Sequence, residues 1–498
     1  MKTRILTIII LCLALVTYAQ DFVQPKDVII SKSGLQEDFK ILKQAYWELH
    51  PGLFRFSTEE EVLGYFDELE DVLNNDLTTI EAFLAFSRFA NKIKCGHTYT
   101  NYWNQNDDIK KLIHNKADKV PFTFDLIQNR MLITRNASDD DRLQRGVEVT
   151  SINGHSIKSI IEALLPLVKG DGSNNLARIN DMQLTAFGKY EAFDIYFALL
   201  FPPIENTYNV ACRNLKNGEI FTTTVQAITR GERFEILNKT CNNCLASNDE
   251  DLWQLEILQD DLAKITFGTF VTWNMKNFDW KGFIADCFKT IERKNIENVI
   301  IDIRGNGGGS DEVYIELAKY MIQETTTIRL GKSISRYDVV RDNLRPYITT
   351  WSNDFYNISK KVKPIENDFF QYKTPDIPLV MFPSRKRFKG NIYVICNAAN
   401  SSATFNMATY CKRYNLATLV GQTTGGNQRG ITGGRMFFLN LPNSKIELDI
   451  PLISAPVDYN IPDEGIKPDV IVERSVNDII NGIDTEVETI KTLIKSKQ

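Results

Sequence analysis

Three short segments of the sequence combine residue types that could carry out nucleophilic chemistry. The first is Asn400-Ser401-Ser402-Ala403-Thr404, which follows an apolar, strand-like run and begins a helix-like one. A serine at a helix N-terminus lies near unpaired backbone N–H groups and the positive end of the helix dipole, which favours an alkoxide or an oxyanion. Serine is also a common helix N-cap, so this segment taken alone fits either role.

The second segment, Asp302-Ile303-Arg304-Gly305-Asn306-Gly307-Gly308-Gly309, also follows a short apolar run. Glycines let backbone N–H groups approach a ligand without hindrance from Cβ atoms, as an oxyanion hole requires. A phosphate-binding loop would end in Lys and Ser or Thr, and a dinucleotide loop would show G-x-G-x-x-G; neither pattern is present. The alternative is a plain flexible turn.

The third segment is Cys95-Gly96-His97-Thr98. Histidine is the most frequent general base at neutral pH, so His97 could activate a serine, although a structural histidine is the alternative. Cys95 is a less attractive nucleophile because it lies only two residues from this base. The other histidines are interpreted as structural or exposed: His50, His114 and His155.

The N-terminus predicts export. Lys2 and Arg4 precede an apolar run over residues 5–16 that ends in Thr17-Tyr18-Ala19, the pattern of a secretory signal peptide. The run is shorter than the roughly 20 residues of a membrane span, and no other segment is long and apolar enough to be one. We therefore expect cleavage after Ala19 and a periplasmic or extracellular protein with no integral membrane segment.

Composition limits the possible partners and cofactors. With 58 Lys+Arg against 63 Asp+Glu, the formal net charge is -5 and offers no basic footprint for nucleic acid. Cys241 and Cys244 form the one tight cysteine pair, for which we expect a local disulfide. A zinc site would need a second pair at matching spacing, so neither a metal nor another cofactor is predicted.

The length of 498 residues suggests about three domains at roughly 150 residues each. Helical periodicity dominates residues 33–94, including a capped helix from Thr79 to Phe89, and a two-residue period then predicts strands. Later apolar strands alternate with helices, as in a buried parallel sheet. The strands are expected at 120–126, 131–134, 148–152, 208–212, 221–225, 262–266, 299–303, 392–395 and 418–420, and the helices at 157–168, 283–291 and 403–414.

The three segments together resemble the C-terminal-processing (tail-specific) serine peptidase family, and within it the tricorn-core-like branch. The second segment, residues 302–309, is called the glycine segment and is similar to the family's D-x-R-x-N-G-G-G signature. Ser402-Ala403 is similar to the family's nucleophile motif. Leu419-Val420-Gly421-Gln422-Thr423-Thr424-Gly425-Gly426 is similar to its T-x-G-G turn, and Gly465-Ile466-Lys467-Pro468-Asp469-Val470 to its terminal G-V-x-P-D strand.

The resemblance implies an α/β (α+β multidomain) fold. It has an N-terminal helical domain, a PDZ-like β domain and a ClpP/crotonase-like αβ catalytic core. Gly146-Val147-Glu148-Val149-Thr150-Ser151-Ile152-Asn153-Gly154 resembles the strand and turn of a PDZ domain. The expected units are a signal peptide (1–19), the helical domain (20–105), the PDZ-like domain (118–230), the core (250–475) with a polar, lid-like excursion (332–376), and a C-terminal polar helix (476–498).

The resemblance also implies the catalytic residues. Many family members use a lysine base in the T-x-G-K turn, but that position is Asn427 here. The tricorn-like branch instead takes a histidine from a D-G-H-T-like turn, which Cys95-Gly96-His97-Thr98 matches apart from Cys95. The implied nucleophile is Ser402 and the implied base is His97. The implied acid is Glu464, with Asp463 and Asp458 as alternatives. The implied oxyanion donors are the amides of Gly307 or Gly308 and of Ala403.

The predicted function is therefore that of an exported serine endopeptidase acting on peptide or protein substrates. The alternative is a non-catalytic binding protein on the same scaffold. The missing lysine favours that alternative, as does Phe405, where many relatives carry Glu. The presence of both Ser402 and His97 favours the enzyme. A carbohydrate-binding surface around Trp351 and residues 369–372 is the weakest interpretation.

Overall fold

The computed structural model describes residues 27–185, 190–242, 245–328, 331–373 and 379–496. The expected signal peptide and Cys244 lie outside these ranges, and Cys241 is disulfide-bonded. Within these ranges, no helix is both long and apolar enough to cross a membrane.

The α-helices of the described ranges are α1 (Lys32–Leu49), α2 (Glu59–Val72), α3 (Thr79–Lys92), α4 (Asp107–Ile109), α5 (Ile157–Leu164), α6 (Asn175–Asp181), α7 (Ala192–Leu200), α8 (Arg230–Thr240), α9 (Trp280–Arg293), α10 (Asp311–Met321), α11 (Ser402–Arg413), α12 (Val476–Asn481) and α13 (Thr485–Lys495).

The strands are β1 (Ile29–Ile30), β2 (Leu77–Thr78), β3 (Phe122–Ile127), β4 (Arg130–Asn136), β5 (Val147–Ile152), β6 (His155–Ser156), β7 (Thr207–Asn214), β8 (Ile220–Gln226), β9 (Trp253–Gln259), β10 (Leu262–Phe267), β11 (Asn298–Asp302), β12 (Thr326–Ile328), β13 (Ile334–Ser335), β14 (Ile348–Thr349), β15 (Val362–Pro364), β16 (Phe370–Tyr372), β17 (Leu379–Met381), β18 (Asn391–Cys396), β19 (Thr418–Gly421), β20 (Gly433–Asn440), β21 (Glu447–Ile453) and β22 (Val470–Ile471).

Helix α3 begins at Thr79, where the sequence predicts it. Thr78 caps α3 through the N–H of Glu81, and the Glu81 carboxylate accepts the Thr78 N–H in return. This capping box satisfies two N–H groups that a helix start leaves unpaired. The buried face of α3 packs with α1 and α2 into one apolar core.

The middle of the chain forms an antiparallel sheet with strand order β3-β4-β5-β7-β8. Asn153 and Gly154 turn the chain from β5 into β6 with φ values of 50° and 81°. Two successive positive φ values suit an Asn-Gly turn, which the sequence predicts there. The five strands expected in this region are confirmed, with bounds shifted by at most two residues.

The six-stranded sheet of the core holds the candidate site residues at the ends of its strands. Its order is β22-β19-β18-β11-β10-β9, and all neighbours pair in parallel except β9 with β10. The apolar central strands are buried on both faces because α-helices cover them. Since β11 and β18 are parallel neighbours, the loops after their carboxyl ends lie side by side: the glycine segment and the turn before α11.

The 332–376 segment differs from a polar surface excursion. It is inserted between β12 and β17, which pair antiparallel, and it supplies β13 to β16. Many of its aromatic and aliphatic side chains are buried in the same core as the N-terminal helices, and β14 pairs with β20. The interpretation as an irregular lid or surface excursion was wrong because the segment buries these apolar side chains: Tyr337, Val340, Leu344, Ile348, Ile358, Val362 and Tyr372.

The tail after Ser475 is not one polar helix. The chain breaks at Gly482, whose φ is 66°, and separates α12 from α13. Val487 and Ile490 on α13 are buried against the core sheet. A helix that reads as polar overall can still bury one apolar stripe.

Candidate active site

Ser402 occupies a strained position at the start of α11. Its φ is 52°, in the left-handed region that costs a residue other than glycine roughly 1–2 kcal/mol. The residue before it, Ser401, is extended, so the chain bends sharply between β18 and α11. Such strain persists only where the surroundings fix the backbone, and it concentrates at functional sites.

Asn400 fixes this bend. Its side-chain amide, fully buried, donates to the carbonyl oxygens of Ile303 at 2.5 Å and Asn306 at 3.0 Å. Thr404 Oγ1 donates to the same Asn306 oxygen at 2.9 Å. The first turn of α11 is therefore tied to the glycine segment by side-chain hydrogen bonds in a dry setting.

The glycine segment lies directly against the serine. A Cβ atom at position 308 would lie 2.7 Å from Ser402 Cβ, and the φ of Gly308 is 116°. The Gly308 N–H donates to Asn306 Oδ1 at 2.9 Å, whereas Gly307 is exposed. Only glycine at position 308 allows the two loops to approach this closely.

His97 packs beside Gly433, where a Cβ atom would lie 3.2 Å from His97 Cε1. In the part of the chain that the structure describes, Nδ1 of His97 is buried and has no hydrogen-bond partner. Burial lowers the pKa of His97 from its ordinary 6.5, the carboxylate of Asp171 opposes that shift, and the ammonium of Lys169 adds to it. A neutral imidazole is the form that accepts a proton.

Asp171 joins the turn around His97 (residues 95–98, the histidine turn) to the turn before α11 (residues 400–402, the serine turn). Its Oδ1 accepts the N–H of Gly96 at 2.8 Å, and its Oδ2 accepts the hydroxyl of Ser401 at 2.9 Å. The structure thereby brings the segments around His97 and Ser402 to the same carboxylate. The sequence analysis missed Asp171, which lies in a Gly-Asp-Gly loop that shows no catalytic spacing.

The three acidic candidates near the chain end make other contacts. Glu464 pairs with Lys467 at 2.8 Å, and its side chain is 37% exposed. Asp463 Oδ1 accepts the amide of Asn427 at 2.6 Å and the N–H of Ser173 at 3.0 Å. Asp458 Oδ1 accepts the N–H of Asn460 at 2.9 Å.

The remaining histidines occupy structural or exposed positions, and His50 packs against the residue that follows His97. His50 is buried: its Nδ1 accepts the N–H of Gly52 at 3.1 Å and its Nε2 lies 2.8 Å from Thr98 Oγ1. Burial lowers the pKa of His50 to about 3, so this ring stays neutral. His114 is buried and His155 is exposed. These placements confirm that they are structural or exposed.

The parallel core sheet with an activated serine turn is the architecture of a peptidase core. Residues 263–472 match the model of peptidase family S41. No curated protein matches the sequence.

Two structures of mature CPAF show a similar fold over nearly the whole chain. Mature CPAF complexed with lactacystin superposes with a TM-score of 0.63 at 14% identity, covering 93% of this chain and 98% of CPAF. Another structure of mature CPAF gives 0.59 at 14% identity, with 93% and 97% covered. The photosystem II D1 C-terminal processing protease gives 0.42 at 10% identity, with 89% and 93% covered. At these identities the likeness concerns the fold.

Proposed function

We propose that this chain is a serine endopeptidase that cleaves peptide or protein substrates. The observation that carries the proposal is the strained Ser402, fixed at the N-terminus of α11 against the glycine segment. A structural N-cap serine has ordinary extended backbone and needs no such support. A nucleophile on a sharp strand-to-helix bend has its hydroxyl exposed to substrate, as in other hydrolases.

The chemical roles follow from the surroundings. Ser402 Oγ attacks the substrate carbonyl, while the neutral ring of His97 accepts its proton and later delivers that proton to the leaving amine. The amides of Gly307 and Ala403 stabilise the oxyanion. The amide of Gly308 already donates to Asn306 and supports the loop instead.

The acidic member of the arrangement stays a prediction on Glu464. Its carboxylate would have to leave Lys467 to act on His97. Replacing a catalytic carboxylate by its amide typically lowers turnover by orders of magnitude, because the imidazole loses its orientation. Glu464→Gln should therefore lower turnover at least about tenfold; turnover at the wild-type level would remove Glu464 from the mechanism.

Digestion of a peptide library by the wild-type protein, Ser402→Ala and His97→Ala tests the function. We expect cleavage products from the wild-type protein and a loss of two or more orders of magnitude in both variants, as for other serine peptidases. Thermal unfolding of each variant checks its fold. Equal inactivity of all three folded proteins would contradict the proposal and favour a binding protein on this scaffold.

We also propose that the protein is exported after cleavage at Ala19, as its N-terminal residue pattern suggests. Mass spectrometry of the N-terminus of protein from the extracytoplasmic fraction tests this. A mature N-terminus at Gln20 supports it, and an intact Met1 would contradict it. The PDZ-like character of the middle sheet likewise stays a prediction.

A further inference from the structure

The loop between α5 and α6 contacts both the turn around His97 and the turn at the start of α11. We call residues 169–174 the strap. Gly172 N–H donates to the carbonyl oxygen of Lys94 at 2.8 Å, and the amide of Asn174 donates to that of Thr424 at 2.8 Å. The strap thus contacts the histidine turn at one end and the turn beside α11 at the other.

The strap holds the peptide groups on both sides of Gly96. Lys169 Nζ donates to the Gly96 carbonyl oxygen at 3.2 Å, and Asp171 Oδ1 accepts the Gly96 N–H at 2.8 Å. Lys169 Nζ is itself placed over the rings of Tyr99 and Tyr190, at 4.5 and 5.0 Å from their centroids. Gly96 immediately precedes His97, so these contacts fix the backbone from which the imidazole side chain extends.

Other groups hold the strap rigid. Arg178, which is buried, donates to the carbonyl oxygens of Gly170 at 3.4 Å and Gly172 at 3.1 Å. Asp463 accepts the N–H of Ser173. A Cβ atom at position 172 would lie 2.1 Å from Asp463 Oδ1, so only glycine fits there. These contacts hold the Asp171 carboxylate in a fixed position.

We propose that Asp171 is a positioning residue that joins the base to the nucleophile: it holds the His97 turn through Gly96 and the α11 turn through Ser401. This inference rests on the proposed peptidase function. Its carboxylate also acts electrostatically on His97. The charged groups that face His97 are Asp171 and Lys169, and those that face Asp171 are Arg55 and Arg178.

The sign of the electrostatic effect is definite. Asp171 raises the pKa of His97 against the lowering by burial, so Asp171→Asn should lower it further. The base reacts in its neutral form, so the acidic limb of the rate profile should move to lower pH. The maximal rate should fall about tenfold or more, because a displaced base loses effective molarity. Ser401→Ala keeps the charge and should lower the maximal rate without moving the limb.

The experiment measures the rate of serine labelling by a fluorophosphonate between pH 4 and 9 for the wild-type protein, Asp171→Asn and Ser401→Ala. Asp140→Asn is the matched control, since Asp140 pairs with Arg142 at 2.7 Å in the loop between β4 and β5. It should follow the wild-type profile.

An unshifted limb in folded Asp171→Asn, or a wild-type maximal rate in Ser401→Ala, would overturn the inference. A lower maximal rate with an unshifted limb would show a purely structural role and would overturn it too. If Asp171→Asn fails to fold, Ser401→Ala alone decides. Absence of labelling in the wild-type protein would instead contradict the proposed function.

Discussion

The carboxylate of Asp171 accepts a hydrogen bond from the hydroxyl of Ser401 at 2.9 Å, although the two residues are 230 positions apart in the chain. The same carboxylate accepts the N–H of Gly96. One side chain therefore links the histidine turn to the serine turn. Catalysis by a serine and a histidine depends on that separation, since the base must reach the hydroxyl proton.

Gly308→Ala should abolish the reactivity of Ser402. The added Cβ atom would lie 2.7 Å from Ser402 Cβ, and a φ of 116° is strained for alanine. We expect the fluorophosphonate labelling rate to fall by more than about a hundredfold, comparable to the loss of an oxyanion donor. Gly64→Ala in α2, where an added Cβ atom would meet nothing within 4 Å beyond its own stretch of helix, is the matched control and should label normally. Normal labelling of Gly308→Ala would contradict the packing of this loop on the serine.

Asn400→Ala should lower both stability and reactivity. The substitution leaves the buried carbonyl oxygen of Ile303 without its side-chain donor and releases the bend before Ser402. Chemical denaturation should show a loss of about 1–3 kcal/mol in the free energy of unfolding. Asn406→Ala, which removes an exposed hydrogen bond of 3.4 Å to Asp311, should change it by less than about 0.5 kcal/mol. Equal effects of the two substitutions would argue against Asn400 as the support of the bend.

His97 should stay neutral at mildly acidic pH, and so remain able to act as a base. Because burial lowers its pKa below the ordinary 6.5, the labelling rate of the wild-type protein should stay near its maximum at pH 6.5. Lys169→Met removes a cation that lowers the same pKa, so the acidic limb should move to higher pH. Lys158→Met, at an exposed position, serves as the control. A wild-type midpoint above pH 6.5 would disagree with a buried, neutral base.

Glu447 should make stability depend on pH. Burial, and after it the charge of Asp449, raises the pKa of Glu447 from 4.5 to about 8. The folded protein thus binds more protons than the unfolded chain between these values, so stability declines as pH rises through that window. Glu447→Gln removes this titration, and its Tm should fall less between pH 5 and pH 8 than the wild-type Tm. Exposed Glu235→Gln is the control; parallel Tm profiles of Glu447→Gln and the wild-type protein would refute the assignment.

The sheet and the serine turn could be predicted because local signals determine them. The buried strands β11 and β18 are continuous apolar runs, and parallel strands with helical crossovers bring their carboxyl ends together. The glycines and Ser402 follow those ends directly. The resemblance to a peptidase family rested on these same positions.

Asp171 and the strap could not be predicted in this way. Their contacts join loops that are 75 and 230 positions apart, and they depend on the paths of loops that have no periodicity. The buried side of the 332–376 segment was missed for a related reason. Its short strands, β13 to β16, have two or three residues each, too few for an alternating pattern.

Mapping the labelled residue by mass spectrometry tests the central claim most directly. The wild-type protein, Ser402→Ala and Ser401→Ala would each be treated with a fluorophosphonate, digested and sequenced. We predict phosphonylation of Ser402 in the wild-type protein and in Ser401→Ala, and none in Ser402→Ala. A modification on Ser401, or one that persists in Ser402→Ala, would contradict the assignment of Ser402 as the nucleophile.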